Sequence, residues 1–224
     1  MSAAVNPHHT NLDDTPKVDL AKFGMITFLA SEAMLFAGLI SAYLILWISQ
    51  GNAYQPEWLH SGEEYGKHPF TWPIVLTGIN TIFLLASSGT LWMGEQAVLK
   101  NKPITGWLAL TTLLGAIFVT VQGVEWTRLY HEHIWFNTGA TYTSNFFTLT
   151  GFHGLHVSIG VLFLAITTLM AAAGKFSPHR HSFMTCVSLY WHFVDIVWIL
   201  LFTVMYIVPF FIHPAAVPER SAIP

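Results

Sequence analysis

Residues 146–173 read FFTLTGFHGLHVSIGVLFLAITTLMAAA and contain no Asp, Glu, Lys or Arg. A helix needs about 20 apolar residues to cross a hydrocarbon core of roughly 30 Å, and this stretch is long enough. Its hydrophobicity runs around most of the helix and not along one stripe, the pattern of a membrane span. Working outward, residues 23–48, 72–91, 106–129 and 183–212 read the same way. The expected fold is all-α: a polytopic membrane bundle of five transmembrane helices over residues 23–212. Residues 1–22 are expected to form a cytoplasmic segment and 213–224 an external tail. No internal repeat, low-complexity tract or second domain is visible.

Composition agrees. Only 9% of the 224 residues are charged, against roughly 25% in an ordinary soluble domain. A hydrophobic fraction of 53% and an aromatic fraction of 15% exclude a disordered chain. With a net charge of −3 and no basic cluster, nucleic-acid binding has no electrostatic basis. The single cysteine, Cys186, allows neither an internal disulfide nor a thiolate metal cluster. Histidines number 12 against 9 Lys plus Arg, so a redox metal here would depend on imidazole ligands.

Residues 1–22 lack an apolar signal-peptide core, which leaves the N-terminus expected on the cytoplasmic side. Alternation of sides then puts Lys17, Lys22, Lys100, Lys102, Lys175 and Arg180 inside, against Lys67, Arg128 and Arg220 outside. That excess follows the positive-inside rule for an N-in, C-out topology. Trp72, Trp126, Tyr130 and Trp135 fall at the expected outer interface, as an aromatic belt does.

Ionisable groups at membrane depth are costly, about 2.5–3.5 kcal/mol each on insertion scales, and each asks for a reason. At 1.5 Å per residue, Glu32 lies about 15 Å into the first span and Asp195 roughly 18 Å into the fifth. His192 precedes Asp195 by one turn on the same face, close enough for an imidazole-to-carboxylate hydrogen bond through a relaxed turn or through a shared partner. His153 and His156 hold the same spacing in the fourth span, so all five groups are expected in one layer. Gly151, Gly154, Ser158 and Gly160 surround that histidine pair with small residues that admit a neighbouring helix. Gln122 and Glu125 lie near the outer end of the third span, where hydration or a backbone partner satisfies them. On the inner surface His179 and His181 titrate near neutral pH and are candidates for collecting protons, against the plain reading of a solvated loop.

Three readings of the layer stand side by side. A buried polar network that holds helices together is one. A lipid-headgroup or proton-linked role is another. The third is metal or haem, since histidine and carboxylate ligate iron and copper. Against it, His153 and His156 sit one turn apart on one helix, not across a cleft, and only three histidines lie in spans. The repeated Glu-x-x-His pair of a di-iron bundle is also missing.

Two long stretches carry a family resemblance: TGFHGLHVSIG at 150–160 and YWHFVDIVWILL at 190–201. With FLASEAMLFAGLISAYL around Glu32, INTIFLLASSGTL at 79–91 and FVTVQGVEW around Gln122 and Glu125, they resemble the signature helices of subunit III of haem–copper terminal oxidases. This is the cytochrome c and ubiquinol oxidase family. The resemblance spans residues 23–206.

It implies a non-redox subunit that packs on subunit I, binds phospholipid and supports proton uptake, with haem and copper carried by subunits I and II. Subunit II and a small subunit IV are further expected partners, in a bacterial cytoplasmic membrane, with cytochrome c as donor or quinol in its place. The family's intramembrane carboxylate falls on Glu32, and its polar network on His153, His156, His192 and Asp195. No catalytic, cofactor or metal residue is carried over to this chain. Longer relatives have seven spans, and this chain begins at the equivalent of the third, so the family's lipid cleft would open to bilayer or be completed by another subunit. The sequence also reads Leu169-Met170-Ala171 where the family often has an arginine. A stand-alone b-type cytochrome and a small proton-coupled transporter using Glu32 and Asp195 are the rival functions.

Overall fold

The computed structural model describes residues 19–50, 72–100, 103–131, 133, 135–136, 141–174 and 182–208. All five expected spans are helices: α1 (Leu20–Gln50), α2 (Trp72–Leu99), α3 (Thr105–His131), α4 (Thr141–Ala172) and α5 (Ser182–Phe202). Helix α5 continues through a π-helical turn at Thr203–Ile207. Each helix is long and apolar enough to cross a membrane, and no strand occurs among the described residues. This is a multi-pass membrane protein.

Helices α1 to α4 extend beyond the apolar stretches that announce them at one end or both. Helix α2 continues past residue 91 to Leu99, and α4 starts at Thr141, a turn ahead of Phe146. Hydropathy marks the hydrocarbon slab, whereas backbone hydrogen bonding carries a helix on into the interface. Asp19 caps α1, its carboxylate accepting from the backbone N–H of Ala21 at 3.2 Å and Lys22 at 3.4 Å. Gly174, at φ +67°, ends α4 in the left-handed region that glycine adopts without penalty.

Consecutive helices α2, α3, α4 and α5 pack side by side, α5 also touches α2, and α1 rests on α4 and α5. Helix α5 is the most enclosed, with half of its apolar window buried against 17% for α1. Its indoles explain why. The Trp191 ring lies between α3 and α4 at glycines: a Cβ on Gly115 would stand 2.6 Å from the ring, and one on Gly160 2.8 Å. Trp191 Nε1 donates to Ser87 Oγ of α2 at 2.9 Å, and Trp198 Nε1 to Thr81 Oγ1 at 2.9 Å. Each indole therefore fills a gap with its ring and closes a hydrogen bond with its nitrogen.

Hydroxyl pairs join the remaining neighbours. Thr90 and Thr111 meet at 2.8 Å between α2 and α3, and Thr112 and Thr168 at 3.1 Å between α3 and α4. With lipid tails as apolar as the side chains, such bonds and close packing hold a membrane bundle together. The small-residue face of α4 is used in part: Gly160 receives Trp191 and Gly151 receives Trp126. Gly154 has nothing within 4 Å of an added Cβ, and Ser158 is exposed.

Candidate functional site

The midplane groups come from three helices and α1. Helix α4 presents His153 and His156 one turn apart, yet the two take different partners. His156 Nδ1 contacts the Phe152 carbonyl at 2.6 Å, and Nε2 meets Glu32 Oε2 of α1 at 3.0 Å. A carbonyl only accepts, so Nδ1 carries a hydrogen. Phe36 sits edge-on to the imidazole at 5.2 Å, and the Tyr190 hydroxyl donates to the His156 carbonyl at 3.0 Å. Glu32 is thus joined to α4 and, through Tyr190, to α5.

His153 turns to the other side. Its Nε2 lies 3.3 Å from the Val194 carbonyl, and its ring packs on Trp198 at 4.7 Å and Phe118 at 6.0 Å. It is buried in an aromatic cluster that α3 and α5 complete. The third unit links α5 to α2: Ser88 Oγ lies 2.9 Å from His192 Nδ1 and donates to Asp195 Oδ2. Since a serine has one proton to give, the chain runs from His192 N–H to Ser88 and from Ser88 O–H to Asp195. Asp195 is buried, and its Oδ1 meets no hydrogen-bond partner among the described residues.

The single expected layer is therefore three separate units: a Glu32–His156 pair, a lone His153 and a Ser88-bridged His192–Asp195 pair. Ser88 was invisible in the sequence, where it sits in a run of small and apolar residues.

A second polar group occupies the end of the bundle where α1, α3 and α5 finish. Thr77 Oγ1 lies 3.4 Å from Glu125 Oε1, and Asn80 Nδ2 donates to the Phe118 carbonyl at 3.1 Å, both joining α2 to α3. Gln122 lies between these ties on α3 and is only 6% exposed, so it sits inside the bundle. Tyr206, carried inward by the π-helical turn, has Thr77, Glu125, Tyr142 and Tyr43 as polar neighbours. His179 and His181 lie outside the described residues, as do residues 1–18 and 209–224.

The family profile described as cytochrome c oxidase subunit III matches residues 3–209. Cytochrome c oxidase subunit 3 of a Synechocystis strain is 35% identical over 192 residues, covering 84% of this chain and 76% of that protein. The chicken protein of the same name is 36% identical over 202 residues, covering 89% of this chain and 72% of its own length. A protein from Nocardia farcinica named probable cytochrome c oxidase subunit 3 is 36% identical over 192 residues, covering 85% of this chain and 89% of that protein.

The chain belongs to the cytochrome c oxidase subunit III family.

Membership makes it a subunit of a terminal oxidase complex of aerobic respiration. Within this subunit III, no three His, Cys, Asp or Glu side chains group closely enough to hold a metal ion among the described residues. The donor sets explain it: the imidazoles of His153 and His156 take different partners, on α5 and on α1, and His192 turns to Ser88. The hydrogen bonds present join α1 to α4 through Glu32 and His156, and α2 to α5 through Ser88.

Proposed function

We propose that this chain is the non-redox subunit III of a bacterial cytochrome c oxidase, packed on subunit I with subunit II and a small subunit IV nearby. It stabilises subunit I, holds phospholipid at its bilayer face and supports proton uptake, while haem and copper reside in subunits I and II. The six basic residues on one side of the alternating spans favour the N-in, C-out orientation in the cytoplasmic membrane. The observation that carries the reading is that the midplane side chains are engaged in interhelical bonds, Glu32 to His156 and Ser88 to His192 and Asp195. A haem ligand or a transported-ion site needs such groups turned toward a shared cavity. For lipid, the partly exposed Glu32–His156 pair beside the loosely covered α1 supports a place at the bilayer face.

Affinity purification through a tag on this chain tests the proposal. The expected result is co-purification of a haem-bearing subunit I and a subunit II with a dinuclear copper site. A core lacking this chain is expected to keep its haem spectrum and lose activity progressively during turnover. A Soret band in the isolated chain, or solute uptake by it alone that is sensitive to Glu32→Gln, would overturn the proposal. His179 and His181 are assigned to proton collection at the inner face: the double Ala variant should turn over more slowly at alkaline pH, and unchanged rates would sink that role.

A further inference from the structure

Gln122 is buried inside this chain, and neither its Nε2 nor its Oε1 has a hydrogen-bond partner among the described residues. It lies on α3 one turn from Phe118 and nearly one turn from Glu125. Both of those positions are tied to α2, by Asn80 and by Thr77. The Gln122 amide is therefore enclosed between two interhelical bonds. Asn80 gives its Nδ2 to the Phe118 carbonyl and leaves Oδ1 unpartnered among the described residues. A glutamine amide offers two N–H donors and two lone pairs, and buried polar groups in folded proteins are almost always satisfied. Three orphaned atoms on side chains of two neighbouring helices are those of a wet site, since a buried water typically makes about three hydrogen bonds to such groups.

We propose that Gln122 and Asn80 form the walls of an internal water site, joined to the membrane surface through Thr77 and the partly exposed Glu125. The site is a dead end. Phe118 stands edge-on to Trp198 at 5.0 Å, and Trp198 in turn covers His153 at 4.7 Å, so an aromatic wall separates the water from the midplane histidines. Water enters at the Glu125 end of α3 and stops at Asn80, and among the described residues the aromatic wall closes the way on to His153.

X-ray hydroxyl-radical footprinting of the intact oxidase in nanodiscs tests this, because bound water activated in place labels the side chains beside it. Label is expected on the buried Tyr206 and absent from Trp198, and Gln122→Met should lower the Tyr206 label relative to that of the exposed Tyr130. Tyr206 as silent as Trp198 would overturn the proposal, as would a Tyr206 label that Gln122→Met leaves at its wild-type level. If Gln122→Met prevents assembly, a cryo-electron map of the wild-type complex decides. Density for water between Gln122 and Asn80 supports the site, and a side chain from another segment in that place refutes it.

Discussion

At the scale of single residues, His156 is held from both ring nitrogens, Nδ1 against the Phe152 carbonyl and Nε2 against Glu32. Glu32→Ala leaves His156 Nε2 without its partner and is expected to cost about 1–3 kcal/mol, the penalty for orphaning a buried polar group. Glu32→Gln, which still bonds, should cost less. Thermal denaturation of the purified complex, followed by release of this subunit, measures both. Ser88 is predicted to couple His192 and Asp195. Ser88→Ala and Asp195→Ala should therefore be non-additive, the double variant losing less stability than the sum of the two single losses. Additive losses in that cycle would show that the serine does not bridge. The residue types and depths of these groups were legible in the sequence, since a carboxylate in an apolar run stands out. Their partners were not: Ser88, Thr77 and the Val194 carbonyl are ordinary residues of membrane helices, and only the rotation of one helix against another makes them recipients.

At the scale of elements, the glycines of α3 and α4 are places for the indole of Trp191. Gly160→Ala and Gly115→Ala each drive a methyl group into that ring, and overpacking of this kind costs about 1–3 kcal/mol. A reduced melting temperature of the complex, partly recovered by adding Trp191→Phe, is the expected outcome. Gly154→Ala, on the same helix with open space around it, should change little. The contrast separates packing from helix propensity, because alanine favours the helix equally at all three positions. The sequence showed a small-residue face on α4 but not which of its members meets a ring, since that depends on how α5 is seated. The π-helical turn at Thr203–Ile207 had no sequence signal either. Such turns depart from the regular helix in backbone alone, and here the turn buries Met205 and Tyr206.

For the whole molecule, α5 is the hub, half buried along its apolar window and bonded to α2 and α4 through Trp191, Trp198, Tyr190 and the Ser88 bridge. Asp195→Ala removes the bridge at the centre of that hub. The expected result is impaired assembly or looser retention of this subunit, with the haem spectrum of the oxidase core unchanged; loss of a haem would contradict it. Absorption spectra and subunit stoichiometry of the purified complex make the check. The sequence alone determined the five spans, their order and the family, because lipid demands long uninterrupted apolar helices and the signature stretches lie within them. Only the tertiary structure decided that one expected polar layer is three separate units and that Gln122 is sealed inside the bundle. Hydropathy fixes how deep a residue lies, but which way it faces, and what faces it, is set by the packing of helices whose surfaces are apolar all round.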